Sequence, residues 1–170
     1  MANKSTQVGS GAPLYSREER ERRDSSVWTV VQGVLAPVQF LVFLLSVFLI
    51  CRYFLTGDGY MIATYSIVLK TIVLLIIMVT GAIWEKVVFG QYLMAPAFFW
   101  EDIVSFFVIT LHLAYVGTLV AGYLTNEGKM VLALCAYGLY LVNAAQFLLK
   151  FRAAKTAPHS IKDYESEVIA

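Results

Sequence analysis

Charged side chains gather in one short segment between two long apolar runs of this sequence. The segment spans residues 83–102, and its charged members are Glu85, Lys86, Glu101 and Asp102. Charged groups beside a hydrocarbon region are costly, so acids and a base placed there predict a functional site. A carboxyl group partly withdrawn from water can act as a general acid near neutral pH. We therefore expect acid/base chemistry in this segment.

A simpler interpretation of the same residues is structural. Trp84 and Trp100 lie at the two ends of the segment. Tryptophan is enriched at the membrane–water interface, so the charges could be helix-end charges at headgroup level beside an aromatic belt. This interpretation fits Lys86 better than the three acids.

The composition excludes an ordinary soluble domain. Of 170 residues, 59% are hydrophobic and only 15% are charged, whereas an average globular protein has about 25% charged residues. The formal net charge of +1 is too balanced to indicate nucleic-acid binding. The first apolar run begins near Trp28 and exceeds the roughly 7 to 15 residues of a signal-peptide core. We therefore expect an integral membrane protein that retains its N-terminus.

Four apolar runs are each long enough for a helix that crosses the bilayer, which needs about 20 residues. They cover residues 30–54, 61–88, 103–123 and 130–149. Short links containing glycine join the first run to the second and the third to the fourth, which predicts two antiparallel helical hairpins. The expected fold is an all-α integral membrane bundle of four transmembrane helices with short hairpin loops.

Polar segments flank this membrane domain, which we assign to residues 27–152. The lead at 1–26 and the tail at 153–170 are polar and charged, so both are expected to be mostly disordered. Within the lead, Ser16 is followed three residues later by Glu19, the capping-box pattern of a helix start. A short interfacial helix is therefore predicted there.

Lysine and arginine predict the orientation. The lead and the tail hold most of them and the middle link holds Lys86, whereas the two hairpin links hold only Arg52 and Lys129. Cytoplasmic loops carry the excess of positive residues. Both termini and the middle link are therefore predicted to face the cytoplasm.

Each predicted span carries polar residues on one face, because offsets of 3, 4 and 7 residues return to the same side of a helix. These residues are Gln32, Gln39 and Ser46, then Lys70, Thr71 and Glu85, then Glu101, Ser105 and His112, and finally Tyr140, Asn143, Gln146 and Lys150. Polar groups find no water in lipid, so these faces predict a polar chamber between the helices that opens to the cytoplasm. For Ser46, Thr71 and Ser105 we expect hydrogen bonds between helices.

Lys70 and His112 fall near the middle of the membrane. An unpaired cation there costs at least about 2.5 to 3.5 kcal/mol, so Lys70 needs an anion, a substrate or a shifted pKa. His112 could relay a proton or ligate a metal. The second histidine, His159, lies in the tail, so a bis-histidine haem within one chain is excluded.

Other common reaction centres are not indicated. The chain has no Gly-rich phosphate loop and no G-x-S-x-G sequence, so phosphoryl transfer and serine hydrolysis are not supported. Cys51 and Cys135 occur singly inside apolar runs, without the spacing of a metal site. Two free, buried thiols are favoured over a disulfide.

Short stretches spread over the membrane part point to a family. They read WTVVQGVLAP at 28–37, QFLVF at 39–43, MVTGAIWEK at 78–86, APAFFWED at 95–102 and NAAQFLLK at 143–150. In this order they resemble the 3-vinyl bacteriochlorophyllide hydratases of bacteriochlorophyll synthesis, and the resemblance covers residues 16–152. It implies a hydro-lyase that adds water to the C3 vinyl group of chlorophyllide a or a related Mg-chlorin, giving a 1-hydroxyethyl group without a redox cofactor. It also implies a bacterial inner membrane, cytoplasmic or photosynthetic.

The resemblance assigns no catalytic residues, so their roles follow from chemistry and depth. Glu101 is the first candidate for the general acid, and Asp102 or Glu85 for the group that holds and activates water. His112 is the candidate that ligates the chlorin Mg or relays the proton. The expected substrate-binding residues are Gln32, Gln39, Lys70, Trp84, Lys86, Trp100, Asn143 and Gln146. Of these, the two lysines are expected to pair with the substrate propionate or with one of the acids.

Two other functions fit the same features. A non-catalytic pigment-binding or assembly protein of a photosynthetic membrane would hold a chlorin through His112. A small transporter could arise if two four-helix units paired, and a homo-oligomer is compatible with any of these functions. Acids clustered at one end of the bundle favour a catalytic function over non-catalytic binding of a pigment.

Overall fold

The computed structural model describes residues 14–156, with side chains for residues 14–152. Within this range the chain forms five helices and no strand. The helices are α1 (Arg17–Ser25), α2 (Val27–Thr56), α3 (Tyr60–Phe89), α4 (Phe99–Ala121) and α5 (Asn126–Thr156). The predicted all-α class is confirmed. The orientation of the termini stays a prediction.

The four predicted spans correspond to α2, α3, α4 and α5, all of which are long and apolar enough to cross a membrane. Only the third span ends earlier than predicted. α4 ends at Ala121, because Gly122 adopts a left-handed φ of 71° that terminates the helix. The outer surfaces expose large apolar side chains such as Leu41, Phe48 and Phe107. The chain is therefore a multi-pass membrane protein.

The predicted capping box at the start of α1 is present. The Ser16 backbone N–H donates to Glu19 Oε2 at 2.8 Å, and the Glu19 N–H donates to Ser16 Oγ at 3.3 Å. The Arg22 side chain donates from Nε to the carbonyl of Val88 at 2.9 Å, one of the carbonyls that the end of a helix leaves unsatisfied. α1 therefore lies across the C-terminal end of α3. The outer parts of the predicted lead and tail, residues 1–13 and 157–170, lie outside the described residues.

The helices pack as two hairpins, α2 with α3 and α4 with α5. Gly57 and Gly59, with φ of 76° and 90°, make the tight first connection in a conformation that disfavours other residues. The hairpins contact each other through α3 with α4 and α2 with α5, less extensively than within each hairpin. The main apolar core lies between them and contains Phe43, Ile50 and Val108.

The two cysteines are free, as predicted, but the prediction that they are buried is wrong. Cys51 and Cys135 both lie exposed on the outside of the bundle. A thiol behaves as a small apolar group, so it can face lipid as readily as the core. An apolar run in a membrane helix therefore does not reveal which way a cysteine points.

Candidate active site

The end of the bundle next to α1 brings together the last turns of α3, the first turn of α4 and the end of α5, because successive helices run antiparallel. Three acids are buried at this end: Glu85 is 5% exposed, Glu101 is 7% exposed and Asp102 is 3% exposed. We call Glu85, Glu101, Asp102 and their partner Lys150 the carboxyl cluster. The predicted gathering of these acids inside the bundle is confirmed.

The loop between α3 and α4 folds over two of these acids. The backbone N–H of Met94 donates to Asp102 Oδ2 at 2.6 Å, and the N–H of Ala95 donates to Glu85 Oε2 at 3.2 Å. Positive φ at Gly90 (84°) and Met94 (58°) turns the chain so that these amides point inward. The loop therefore supplies hydrogen bonds that favour negative charge on both carboxyl groups.

The side chains of Glu85 and Asp102 lie next to each other and interact directly. An ionised carboxylate can only accept hydrogen bonds, so a bond between two carboxyl groups requires a proton on one of them. Two like charges held this close do not favour simultaneous ionisation either. Glu85 and Asp102 are therefore placed to share one proton.

Glu101 has a different partner. Its Oε2 lies 2.5 Å from the ammonium of Lys150, whose side chain is one quarter exposed. This contact is a charge-assisted hydrogen bond, which is stronger than one between neutral groups. Lys150 was placed on the polar face of its helix from the sequence but was not paired with Glu101. The signal was available, since α4 begins and α5 ends at the same side of the membrane in an antiparallel hairpin.

Aromatic side chains cover the carboxyl cluster. Phe98 is fully buried, with its ring centroid 5.6 Å from that of Trp84 and 5.8 Å from that of Phe147. The indole Nε1 of Trp84 donates to Thr29 Oγ1 at 2.9 Å, which fixes α3 against α2. Trp84 was predicted to contact substrate, and the structure places it beside the cluster.

Tyr15, just before α1, completes this aromatic cover and was missed from the sequence. Its ring stacks on Phe89 at a centroid distance of 5.7 Å, and the guanidinium carbon of Arg23 lies 4.7 Å from its centroid. Burial raises the pKa of the Tyr15 phenol to about 12, although Arg23 acts in the opposite direction. Tyr15 is therefore neutral at physiological pH and serves as an apolar cover.

Two predicted substrate-binding residues point away from the cluster. Trp100 is 68% exposed. Lys86 is also exposed, and its Nζ donates to the carbonyl of Gly90 at 2.6 Å and lies 5.3 Å from the ring centroid of Tyr92. The structure does not bring either residue to the buried acids. Both fit the alternative interpretation of helix-end groups in an aromatic belt.

The predicted amides lie between the helices, deeper than the cluster or beside it. Gln39 and Asn143 are buried, and Asn143 Nδ2 donates to Ser105 Oγ at 2.6 Å. Gln32 is partly buried and donates to Thr80 Oγ1 at 2.7 Å. The side-chain oxygens of three amides are buried without a hydrogen-bond partner in the part of the chain described: Gln39, Asn143 and Gln146. Each of these oxygens can accept a hydrogen bond from a bound molecule.

The predicted hydrogen bonds between helices form for two of the three hydroxyl groups. Ser46 Oγ lies 2.8 Å from Ser66 Oγ and 2.6 Å from the Tyr137 hydroxyl, so it links α2, α3 and α5 as expected. The Asn143 contact confirms the same expectation for Ser105. For Thr71 it is wrong, because its hydroxyl donates to the Ile67 carbonyl one turn earlier on its own helix.

Lys70 and His112 form a second polar group, which we call the deep layer. Lys70 is 0% exposed and His112 is 1% exposed, which confirms that both face inward. Lys70 Nζ lies 3.8 Å from the ring centroid of Tyr140. His112 Nδ1 lies 2.7 Å from the Val108 carbonyl, and its Nε2 is buried without a partner among residues 14–152. A carbonyl only accepts, so Nδ1 carries the proton and Nε2 presents a lone pair to the interior.

Helix geometry separates the two polar groups. His112 follows Asp102 by ten residues on α4, a rise of about 15 Å, and Lys70 precedes Glu85 by fifteen residues on α3, a rise of about 22 Å. Ser105 and Asn143 lie between these levels. The interior of the bundle thus has the carboxyl cluster at one end and amide groups in the middle. The deep layer, with a lysine and an imidazole, lies beyond them.

No group of three His, Cys, Asp or Glu side chains in the described range could hold a metal ion. His112 Nε2 is the one imidazole lone pair in residues 14–156, since His159 lies beyond them. A single imidazole can serve as one axial ligand to a metal that its own macrocycle already holds. Among the described residues, His112 is therefore the candidate to contact a metal that a bound macrocycle holds.

Comparison with known proteins identifies the family. The chain matches the family model for 2-vinyl bacteriochlorophyllide hydratase over residues 15–153. It is 57% identical over 151 residues to a 2-vinyl bacteriochlorophyllide hydratase of Rhodobacter capsulatus, covering 89% of this chain and 88% of the relative. It is 58% identical over 142 residues to the protein of the same name from Cereibacter sphaeroides, covering 84% and 88%. No solved structure matches significantly. The chain therefore belongs to the 2-vinyl bacteriochlorophyllide hydratase family, and it is a membrane-spanning hydro-lyase.

Proposed function

We propose that this protein adds water across the ring vinyl group of chlorophyllide a or a related vinyl chlorin, giving a 1-hydroxyethyl group. The names 2-vinyl and 3-vinyl bacteriochlorophyllide hydratase number the vinyl position differently. Both names describe hydration of a ring vinyl group. The observation that supports this activity best is the pair of adjacent, buried carboxyl groups of Glu85 and Asp102 beside the Glu101–Lys150 ion pair.

The first step is protonation of the vinyl group. The π electrons of the vinyl bond take the proton held by Glu85 and Asp102, so a C–H bond forms at the terminal carbon and a carboxyl O–H bond breaks. A cation remains on the carbon attached to the macrocycle, which delocalises the charge. The pair is left with two negative charges, which the backbone N–H groups of Met94 and Ala95 stabilise.

The second step is capture of the cation by water. A water oxygen forms a bond to the cationic carbon while one of the two carboxylates takes a proton from that water. The product carries the hydroxyl group, and the pair of Glu85 and Asp102 again holds one proton. The net change is the addition of one water molecule, so no oxidant or reductant is consumed.

Glu101 has a supporting role in this mechanism. Its carboxyl group is paired with the Lys150 ammonium, and a carboxylate there stabilises a developing cation nearby. The expectation that Glu101 is the general acid stays a prediction, and the ion pair favours Glu85 with Asp102 instead. The two assignments are distinguishable by substitution.

The unpartnered amide oxygens suit the supply of water. Gln39, Asn143 and Gln146 each present a buried acceptor between the helices. Chlorin substituents are themselves mostly acceptors, whereas water donates two hydrogen bonds and commonly satisfies such buried oxygens. We infer that these amides hold the reacting water and its replacements, while Trp84 and Phe98 contact the flat apolar faces of the substrate.

The depth of His112 restricts how the substrate binds. A chlorin whose vinyl group lies at the carboxyl cluster places its opposite edge, not its central Mg, about 15 Å deeper at the level of His112. Ligation of Mg by His112 would instead draw the vinyl group away from the acids. Mg ligation and proton relay by His112 therefore correspond to different positions of the ring.

We propose that the carboxyl cluster lies at the cytoplasmic face of a bacterial inner membrane. The excess of Lys and Arg in the lead, the middle link and the tail supports this orientation. Substrate and water would then enter from the cytoplasmic side.

The direct experiment is conversion of a purified vinyl chlorin by purified protein in water labelled with heavy oxygen, without added cofactor. We expect a product heavier by one labelled water, with the label in the hydroxyethyl group. Binding of the chlorin without any product would instead support the non-catalytic pigment-binding function.

A further inference from the structure

Asn143 presents a buried hydrogen-bond acceptor about one helical turn from the carboxyl cluster. Its Nδ2 donates to Ser105 Oγ at 2.6 Å, whereas its Oδ1 is buried without a partner among residues 14–152. Ser105 follows Asp102 by three residues on α4, an offset that returns to the same side of the helix with a rise of about 4.5 Å. The Asn143 amide therefore lies at the level just beyond the proposed proton donors.

The hydroxyl group of Ser105 determines which end of this amide faces it. Ser105 Oγ donates its only proton to the backbone carbonyl of Glu101 at 2.9 Å, and a carbonyl can only accept. The hydroxyl oxygen can therefore only accept from Asn143, so it selects the NH₂ end of the amide. A flipped amide would set two oxygens against each other without a proton between them. The chain of hydrogen bonds from Asn143 through Ser105 to Glu101 thus keeps Oδ1 directed away from Ser105.

A water molecule fits the acceptors that this arrangement leaves. Asn143 Oδ1 accepts one of its hydrogens, and a carboxylate of Glu85 or Asp102 accepts the other once the pair has given its proton to the vinyl group. A water that donates to two acceptors at about 2.8 Å joins groups roughly 4 to 5 Å apart, which is comparable to the rise between Asp102 and Ser105. With both hydrogens held, a lone pair of the water oxygen remains for the cationic carbon.

We propose, building on the hydration described above, that Asn143 holds the attacking water and that Ser105 is the positioning residue that fixes the Asn143 amide. Of the three amides with unpartnered oxygens, Asn143 then takes part in the reaction, and Gln39 and Gln146 hold the replacement waters. The C–O bond forms as the water O–H bond toward the carboxylate breaks, and Asn143 neither gains nor loses a proton.

The position of this water also determines the face of attack. The cationic carbon is planar, and a water held by one oriented amide reaches it from one side. If the amide can flip, its NH₂ group replaces the acceptor and the water is no longer held there. The configuration of the hydroxyethyl carbon therefore reports the orientation of Asn143, which stability alone does not affect.

The test is a double-substitution cycle in which kcat, KM and the ratio of the product epimers are measured with one vinyl chlorin. Asn143→Leu removes the acceptor at similar size, and we expect kcat to fall about 10- to 100-fold with KM changed less than about twofold. Ser105→Ala frees the amide to flip, so kcat should fall about 3- to 10-fold and the epimer ratio should move toward equality. In the double variant, loss of the Ser105 hydroxyl should lower kcat no further. Additive losses overturn the proposal.

Thr110 provides the matched control on the same helix. Its hydroxyl donates to the Phe106 carbonyl at 2.8 Å, the same contact with the preceding turn that Ser105 makes, but Thr110 is exposed on the outside of the bundle. Thr110→Val should keep the wild-type kcat and epimer ratio. A change there equal to that in Ser105→Ala would assign the effect to the shape of α4 and overturn the proposal.

A second comparison serves if Asn143→Leu does not fold. Ser105→Thr keeps the hydroxyl group and should keep the wild-type epimer ratio and most of kcat, whereas Ser105→Ala should lose both. Thermal unfolding in detergent shows that the two variants are folded. Equal kcat and equal epimer ratios in Ser105→Thr and Ser105→Ala count against the proposal.

Failure of hydration itself is distinguishable from failure of this assignment. A wild-type protein that binds the chlorin but forms no hydroxyethyl product contradicts the hydration and removes the role of Asn143 with it. Wild-type turnover together with near-normal kcat in Asn143→Leu overturns the assignment alone. Equal amounts of the two epimers from the wild type overturn it as well, because a water held at one amide attacks one face.

Discussion

Glu101 and Lys150 form a 2.5 Å ion pair between the start of α4 and the end of α5, beside the adjacent carboxyl groups of Glu85 and Asp102. The three buried acids of this end are therefore not equivalent. Glu101 contacts a lysine ammonium, whereas Glu85 and Asp102 accept hydrogen bonds from the backbone of the loop between α3 and α4. We propose that this difference decides which acid donates the proton.

Removal of Lys150 should destabilise the protein. Lys150→Met leaves the buried Glu101 carboxylate without its cation, and we expect a loss of about 1 to 2 kcal/mol, since the quarter exposure of Lys150 reduces the effect of a fully buried pair. Thermal unfolding in detergent measures the change. The double variant Lys150→Met with Glu101→Gln should recover part of the loss, and additive losses would contradict the ion pair.

Reporter fusions test the orientation. Fusions within the two hairpin links, at Gly59 and Gly128, should report the outer side of the membrane, and a fusion after the last residue should report the cytoplasm. An enzymatic reporter that is active on only one side gives the measurement. A cytoplasmic signal at Gly59 would contradict the predicted topology.

Much of the fold follows from the sequence because membrane helices obey two simple requirements. Apolar length determines where a span lies, and the 3.6-residue period determines which polar residues turn inward. The burial of Gln39, Lys70 and His112 was predictable on these grounds, and so was the capping box at Ser16.

The remainder depends on tertiary contacts that no local pattern contains. Tyr15 lies in a polar lead, so its burial under Phe89 could not be inferred from hydropathy. Lys86 and Trp100 are each the sequence neighbour of a buried acid, and the rotation of about 100° per residue turns them to the outer side of their helices. The pairing of Glu101 with Lys150 was missed, although the predicted hairpin places the start of α4 and the end of α5 at the same side of the membrane.

Substitution of His112 distinguishes its two possible roles. With the vinyl group at the carboxyl cluster, His112→Ala should leave the absorption spectrum and affinity of the bound chlorin nearly unchanged. A marked spectral change with weaker binding would show that Nε2 ligates Mg. A lower turnover with unchanged binding would indicate proton relay. Absorbance titration and initial rates on the same samples give all three quantities.

The central claim is that Glu85 and Asp102 hold the transferable proton, and comparison of Glu85→Gln with Glu101→Gln tests it most directly. Both substitutions keep size and hydrogen bonding but remove one ionisable group. We expect Glu85→Gln to lower the rate of hydroxyethyl formation by roughly 10² to 10⁴ while the chlorin still binds. Glu101→Gln should lower the same rate only about tenfold, because Glu101 stabilises charge and does not transfer the proton. A loss of 10² or more in Glu101→Gln, together with near-normal turnover in Glu85→Gln, would contradict the account and make Glu101 the general acid.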